Sequence, residues 1–437
     1  AFLGTFAGSS GDVTVDGAGS AWVNTQNIHV GLWGNSTLSI LNGATVSSIN
    51  GYLGTNSDGI NIGDGGVTVD GTGSTWSNSD DLHVGVQGSG RLNILNGGTV
   101  SDQIGTIGTL AGSNGEVTVN GTGSTWMNNL LYIGGGSTSG GGTGTLNVGS
   151  GALVDAGNAL TIWNSGTLNL NGGTVTTNHL AGYGTMNFNA GTLNINNHLL
   201  LDSASVLGTS LSLTNFRTLN VGGITTLDAY NTLSIDGGVF STGSLIDNGG
   251  FAFNSGTFNL TGDNLTIGTG GLFGHRVSFD YGKVVNVTNN IVVQSGAVLS
   301  MREGLATAAL VHNSGTIDMD GYLSEIGGGG VSNYGLIRGT GTISAPLTNT
   351  AGGEVRAEAG ESLVFSGNGN SNSGEINMLG GSVEFADLVN VASGIITGRG
   401  TLIADGGLTN QGDINLSSGT TDVYGNVNNA AGGSIIV

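Results

Sequence analysis

The chain has 437 residues, of which 87 are glycine and only 8% are charged, and its formal net charge is −21. Nucleic acid is not an expected partner, because phosphate binding needs clustered Lys and Arg and the chain has 8 such residues. The absence of cysteine excludes disulfides and thiolate metal sites. A single proline and abundant Val, Ile and Thr exclude a collagen-like chain and argue against disorder.

Residues 1–150 contain one Trp-bearing motif three times. The string "VTVDGAGSAWVN" begins at Val13, "VTVDGTGSTWSN" at Val67 and "VTVNGTGSTWMN" at Val117. Repetition at 50 to 54 residues is typical of stacked structural units, and two to three turns of a coil are expected in each repeat. The alternation in "VTV" predicts short strands with one face inward.

Residues 151–310 keep this pattern of strand and turn in a degenerate form. Units such as "GTLNLNGGTVTT" at Gly166 and "GTLNINN" at Gly191 alternate with turns rich in Gly, Asn and Ser. Longer excursions, such as "GLFGHRVSFDYGKVV", interrupt them. No stretch has a sustained helical period or enough consecutive apolar residues to span a membrane as a helix.

Residues 311–437 have shorter, more regular units, each with an asparagine at the turn before a strand. Asparagines at equivalent turns of stacked rungs can form an amide ladder. Their mean spacing is about 19 residues, which fits one rung of a β-solenoid. The predicted turn ladder consists of Asn313, Asn333, Asn349, Asn372, Asn390, Asn410 and Asn429.

These patterns together predict an all-β fold: a single continuous parallel β-helix, or β-solenoid, with rungs of about 19 residues. The segments 1–150, 151–310 and 311–437 are expected to belong to one solenoid, because no Pro-rich or charged linker separates them. Neither terminal stretch carries a recognisable cap, so copies are expected to stack head to tail. The expected end-to-end interface consists of Ala1, Phe2, Leu3, Phe6, Ile435, Ile436 and Val437.

The motif "VTVDGxGSxWxN", with "LHVG" and "NGGTVS" after it, resembles repeats of exported bacterial surface proteins. The stretch from "GNSNSGEINM" to "GGSIIV" resembles the rungs that follow such repeats. The family comprises autotransporter-type passenger regions and planctomycete-type anchored surface proteins. The resemblance implies a right-handed β-helix outside the cell that serves adhesion, aggregation or surface architecture. It transfers no catalytic residue.

Trp22, Trp76 and Trp126 occupy the same place in the three long repeats. They are expected to fill or cap one corner of the interior, and the alternative is an aromatic ladder that stacks on sugars. His29 and His83 follow in "IHVG" and "LHVG", where their apolar neighbours point inward and the imidazoles outward. A repeated metal ligand is not expected, because the third repeat has Tyr132 at this place.

The densest group of charges is Glu354, Arg356, Glu358 and Glu361 in "GEVRAEAGES". Carbohydrate-active β-helix enzymes need converging carboxylates, but a solvated ion-pair stripe is the favoured interpretation here. Asp80, Asp81, Asp318 and Asp320 are interpreted as turn and surface acids. No cofactor is expected. An isolated calcium ion stays open, although the repeated calcium-binding nonapeptide is missing.

The sequence therefore predicts a non-enzymatic structural protein of a bacterial surface or matrix. Its expected partners are copies of itself and surface polysaccharide or other cells. The alternative is a carbohydrate-active β-helix, either a polysaccharide lyase or a glycosidase. A deep groove with three or more converging charged groups favours the enzyme, whereas a flat surface covered by Thr and Asn favours the structural role.

Overall fold

The computed structural model describes residues 1–55 and 63–437. In those two ranges every regular element is a β-strand, and no helix is present that could cross a membrane. Neighbouring strands of successive rungs pair in parallel. The prediction of an all-β parallel solenoid is therefore confirmed.

The strands are short and are joined by tight turns. The first 22 are β1 (Phe2–Leu3), β2 (Ser10–Asp16), β3 (Ala21–Val23), β4 (Ile28–Val30), β5 (Asn35–Leu41), β6 (Thr45–Ser48), β7 (Gly51–Leu53), β8 (Asp64–Asp70), β9 (Thr75–Asn78), β10 (Leu82–Val84), β11 (Ser89–Leu95), β12 (Thr99–Ser101), β13 (Ile104–Ile107), β14 (Asn114–Asn120), β15 (Thr125–Ile133), β16 (Thr143–Gly149), β17 (Leu153–Ile162), β18 (Gly166–Gly182), β19 (Thr185–Ile195), β20 (Leu199–Leu201), β21 (Ser210–Thr214) and β22 (Arg217–Leu227).

The remaining strands are β23 (Thr232–Asp247), β24 (Gly250–Leu260), β25 (Leu265–Ile267), β26 (Arg276–Asp280), β27 (Lys283–Val293), β28 (Val298–Arg302), β29 (Leu305–Asn313), β30 (Thr316–Gly328), β31 (Val331–Asn333), β32 (Leu336–Ile343), β33 (Leu347–Asn349), β34 (Glu354–Glu358), β35 (Ser362–Phe365), β36 (Ser371–Asn372), β37 (Glu375–Phe385), β38 (Leu388–Asn390), β39 (Ile395–Asn410), β40 (Asp413–Asn429) and β41 (Ser434–Ile436).

The chain divides into two compact units. The first unit comprises Ala1–Ser234, Gly238–Phe240 and Ile246–Ala252, and the second comprises Ile235–Gly237, Ser241–Leu245 and Phe253–Val437. The division into segments 1–150, 151–310 and 311–437 is based on how regular the sequence repeats are in each segment. It stays a prediction.

Rungs of the first unit are long. Val13 pairs with Leu38, Leu38 with Val67, Val67 with Leu92, and Leu92 with Val117. These partners are 25 or 29 residues apart. Each Trp-bearing repeat of 50 to 54 residues is therefore two rungs, at the lower bound of the prediction.

Rungs of the second unit are shorter. Ile317 pairs with Ile337, Ile337 with Val355, and Val355 with Ile376, at separations of 18 to 21 residues. The predicted length of about 19 residues is right for this stretch, whereas the spacing over the chain is about 22 residues. Excursions in the first unit, such as residues 134–142, add length without adding a rung strand.

The interior is built from the inward residues of these alternating strands. Leu38, Ile40, Leu92, Ile94 and Val117 have no exposed surface, and polar or small residues stand between them. Burial of one such side chain contributes about 1.5–3 kcal/mol. Stacked rungs therefore derive their stability from continuous apolar columns.

Tight corners of the first unit use Asn-Gly pairs. Asn42 and Asn96 have positive φ angles of 53° and 50°, and Gly43 and Gly97 follow with 85° and 91°. Asparagine tolerates this region better than other non-glycine residues, and glycine adopts it without strain. The "NGA" and "NGG" strings of the long repeats therefore mark the corners where the chain turns from one strand to the next.

Candidate functional site

The tryptophans of the long repeats belong to one column in which Trp and Val alternate. Trp22 pairs with Val46, Val46 with Trp76, Trp76 with Val100, and Val100 with Trp126. Trp76 and Trp126 are fully buried, and Trp22 is half-buried. The column explains why the sequence repeats every second rung.

A bulky indole in one rung is accommodated by glycine in a neighbouring rung. A Cβ atom on Gly51 would lie 2.7 Å from Cζ2 of Trp76, and one on Gly105 would lie 2.9 Å from Cζ2 of Trp126. Large and small residues thus alternate to fill the interior at native density. Full burial leaves neither Trp76 nor Trp126 a ring face on which a sugar could stack.

The indole N–H groups of Trp76 and Trp126 each find a hydrogen-bond acceptor on the preceding rung. Trp76 Nε1 donates to Ser48 Oγ at 3.2 Å, and Trp126 Nε1 donates to Asp102 Oδ2 at 2.7 Å. Ser48 and Asp102 occupy the same place in "VSSING" and "VSDQIG". Aligning these strings is the signal by which the sequence could have revealed Asp102, which it did not predict.

Asp102 is a carboxyl group in the interior, 7% exposed. Its other hydrogen bonds come from Asn128 Nδ2, at 3.2 and 3.3 Å. Burial raises the pKa of Asp102 to about 7, although the hydrogen bonds from Trp126 and Asn128 act in the opposite direction. This interior acid therefore titrates near neutral pH.

The asparagines of the predicted turn ladder form one hydrogen-bonded column in the second unit. Each side-chain Nδ2 donates to Oδ1 of the next asparagine at 2.7 or 2.8 Å. The members are Asn313, Asn333, Asn349, Asn372, Asn390, Asn410 and Asn429. All except Asn429 are fully buried. The column satisfies polar groups that would otherwise be costly to bury, and it fixes the register of the rungs.

An aromatic stack lies on an outward column of the first unit. Phe2, His29, Tyr52 and His83 occupy successive rungs, with ring centroids 4.8, 4.7 and 5.0 Å apart. Burial lowers the pKa of both histidines, that of His83 to about 4. The rings therefore stack as neutral groups whose faces are covered by one another. Tyr52, which the sequence did not single out, occupies in "GYLG" the place of the histidines in "IHVG" and "LHVG".

Two outward columns of the first unit consist of Thr and Asn. Asn147, Asn169 and Asn187 are in register on successive rungs. Asn169 Nδ2 donates to Asn147 Oδ1 at 2.8 Å, and Asn187 Nδ2 donates to Asn169 Oδ1 at 2.7 Å. Thr145, Thr167 and Thr185 form the adjacent column. Such a surface is of the type expected for a structural role.

The charged group predicted around Glu354 lies on an outward face of the second unit. Arg356 donates from Nε and Nη2 to the two carboxylate oxygens of Glu354, at 2.8 Å each. Glu361 Oε2 accepts a hydrogen bond from the backbone N–H of Glu358 at 2.7 Å. The arrangement is a bidentate surface ion pair next to a carboxylate-capped turn.

The electrostatics of this group differ from those of a glycosidase acid. The guanidinium of Arg356 holds the pKa of Glu354 below its ordinary value. A general acid for glycoside cleavage needs a raised pKa.

The other acids noted in the sequence lie elsewhere. Asp318 pairs with Arg338 at 2.9 Å and Asp320 pairs with Arg302 at 3.4 Å. Both aspartates lie in strand β30 and not in a turn. Asp81 lies 3.9 Å from His83.

The residues of the predicted end-to-end interface are mostly exposed. Phe6 is 73% exposed, Ile436 60% and Val437 97%, and Ile435 is 43% exposed. The amino group of Ala1 donates to the carbonyl of Asn27 at 2.6 Å. Phe2 contributes its ring to the aromatic stack, and Leu3 is half-buried.

In the described part of the chain, no three His, Asp or Glu side chains are grouped closely enough to hold a metal ion. The expectation of no cofactor, with an isolated calcium ion left open, stays a prediction.

No protein-family model matches the chain. It is 26% identical over 239 residues to the adhesin BmaC autotransporter of Brucella suis biovar 1 (strain 1330). The matched region is 54% of this chain and 7% of that protein, so the chain spans only a small part of this relative's length. The suspected resemblance to autotransporter passenger repeats is thereby supported.

The chain is also similar to the crystal structure of a TibA fragment that is hyper-glycosylated by TibC. That likeness covers 95% of this chain and 100% of the fragment, with 14% sequence identity and a TM-score of 0.24. A TM-score this low transfers no property to this chain.

Proposed function

We propose that the chain is a non-enzymatic, adhesive segment of an exported bacterial surface protein. The observation that carries the proposal is the similarity over 239 residues to an autotransporter adhesin. The side-chain arrangement supports it, because interior asparagines form a ladder and outward columns of the first unit carry Thr and Asn in register. In this proposal the stacked rungs of each unit present a regular, repeated surface to polysaccharide or to other cells.

Display of the chain on a non-adherent laboratory bacterium tests this function. Cells that carry the chain on a heterologous autotransporter translocator are expected to attach to polysaccharide-coated or cell-coated surfaces severalfold better than cells with the translocator alone. Surface levels are equalised by antibody staining before attachment is counted. Equal attachment at equal surface levels would contradict the proposal.

Head-to-tail stacking into a fibre is a finer part of the proposal. The exposed side chains of Phe6, Ile436 and Val437 are compatible with it. Sedimentation of the purified chain over a range of concentrations addresses it, and a concentration-independent monomer would rule it out. The carbohydrate-active enzyme remains the alternative function.

A further inference from the structure

The first unit contains a cleft of about 360 Å³ on an outward face over β17, β18 and β20. Its volume is near the lower end of the range for small-molecule sites. Thr161, Ala181 and Leu200 lie in the cleft, together with Trp163, Tyr183 and Asp202. No pattern in the sequence pointed to this combination of side chains.

The indole of Trp163 is held in place before any ligand arrives. Its Nε1 donates to the carbonyl of Gly136 at 2.9 Å. Gly136 belongs to a small hairpin closed by the antiparallel bridge between Gly135 and Gly140. A Cβ atom on Gly135 would lie 2.5 Å from Cδ1 of Trp163, so only glycine lets the hairpin come this close. The excursion at 134–142 thus fixes the indole at the cleft.

Tyr183 and Trp163 occupy equivalent places on successive rungs. Ile162 pairs with Gly182, and each aromatic residue is the next one in the chain. Successive rungs are about 4.8 Å apart, so the two aromatic residues form a row along the stack of rungs. Tyr183 is 68% exposed, and Leu200 beside it in the cleft is 53% exposed. The cleft therefore combines an exposed phenol ring with an aliphatic floor.

The polar side of the cleft is a rigid loop. Asp202 Oδ1 accepts a hydrogen bond from the N–H of Ala204 at 2.9 Å, and the carbonyl of Asp202 accepts one from the N–H of Ser205 at 3.1 Å. Val206 and Leu207, each 8% exposed, anchor the loop in the interior. Ser205 Oγ accepts a hydrogen bond from the N–H of Leu207 at 3.3 Å, so its O–H can still donate. The second carboxylate oxygen of Asp202 and the Ser205 O–H are thus hydrogen-bonding groups at the cleft.

The charges around the cleft exclude an anionic ligand. Arg91 and Arg217, the basic residues of the first unit, are engaged with Glu116 and with the carbonyl of Ser212. The one charged group lining the cleft is the Asp202 carboxylate. Charge alone admits a cation beside Asp202, since one aromatic face suffices to hold an ammonium group. A neutral ligand is favoured because the aliphatic Leu200 and the hydroxyl-bearing Thr161 share the cleft with the two rings.

We propose that this cleft binds a neutral hexopyranose unit of a glycan. The apolar C–H face of the sugar packs on the aromatic row and on Leu200, while its hydroxyl groups donate to Asp202 and bond with Ser205 and Thr161. Pre-positioning of Trp163 and of the Asp202 loop reduces the entropy lost on binding. The inference rests on the proposed adhesive function and names its ligand class.

The test uses the purified full chain and saturation-transfer NMR. The probes are maltotetraose, cellotetraose and mannotetraose, with tetragalacturonate as the anionic probe and choline as the cationic probe. At least one neutral tetrasaccharide is expected to bind. Its affinity should fall about tenfold or more in Tyr183→Ala and in Asp202→Asn, and should change little in Tyr183→Phe, which keeps the ring. Tyr322→Ala, an exposed tyrosine of the second unit, is the matched control and should bind like the parent.

Absence of binding by all three neutral probes would overturn the inference. So would unchanged affinity in Tyr183→Ala, or tighter binding of tetragalacturonate or choline than of any neutral probe. Failure of the inference is distinguishable from failure of the adhesive function. If cells displaying the parent and Tyr183→Ala attach equally well, the cleft is not the adhesive site although adhesion stands. If the parent does not attach at all, adhesion fails while the NMR result still decides the cleft.

Discussion

Replacement of Ile414 by Asp is expected to destabilise the second unit by about 3–5 kcal/mol. Ile414 is 3% exposed and stands between Ile396 and Ile435 in an inward column. A carboxylate there has no cation to pair with among its column neighbours, so it must be buried unpaired or open the rungs around it. Urea unfolding of parent and variant, followed by circular dichroism, measures the loss.

The matched control for Ile414→Asp is Asn415→Asp, which places the same charge one residue along strand β40. Asn415 points outward and is half-buried. A change within about 0.5 kcal/mol is expected for it, as for most surface substitutions. Equal unfolding midpoints for Ile414→Asp and Asn415→Asp would show that the inward column is assigned wrongly.

Replacement of Asp102 by Asn is expected to stabilise the first unit at and above neutral pH by on the order of 4 kcal/mol. Burial raises the folded-state pKa of Asp102 from 3.8 to about 7. Below about pH 4 the carboxyl is protonated in both states and costs nothing. Between about pH 4 and 7 the unfolded chain ionises first, so the stability of the parent falls with rising pH, and above about pH 7 the loss is complete.

An amide at position 102 also suits its neighbours. Ser77 and Ser101 pair on adjacent rungs, so the next residues, Asn78 and Asp102, are also neighbours. Nδ2 of Asn78 and Oδ1 of Asn128 are buried without a hydrogen-bond partner. An asparagine at position 102 can accept from Nδ2 of Asn78. It can donate to Oδ1 of Asn128 once the Asn128 amide, whose Nδ2 faces position 102 in the parent, turns over. Unfolding free energies of parent and Asp102→Asn between pH 4 and 8 provide the measurement. Identical pH slopes would show that Asp102 does not titrate in the interior.

The fold and the asparagine ladder could be predicted because both depend on sequence patterns that repeat at short, regular intervals. Alternation in "VTV" and "GTLNL" determines which side chains point inward, and turns that begin with an asparagine, as at Asn333 and Asn372, recur about once per rung. The rung length of the first unit could not be predicted in this way. There the sequence repeats over two rungs, because Trp76 and Val100 alternate in one column, and unequal loops hide the single-rung step.

The sites that sequence patterns missed are assembled across rungs. Asp102 is a single substitution within a degenerate string, and only its position beside Trp126 makes it an interior acid. The cleft requires the end of β17, the end of β18, the loop after β20 and the hairpin at 134–142. These segments have no common spacing, so their proximity depends on rung register, which the sequence alone does not specify.

In the proposed function the stacked rungs bind polysaccharide and do not cleave it. The most direct measurement incubates the purified chain with a panel of neutral and acidic polysaccharides and records bound protein, new reducing ends and unsaturated products in the same samples. We expect the protein to be retained on at least one neutral polysaccharide, with no new reducing ends and no unsaturated products. Products that form with the parent and disappear in Glu354→Gln or Glu358→Gln would contradict it and assign the carbohydrate-active function instead.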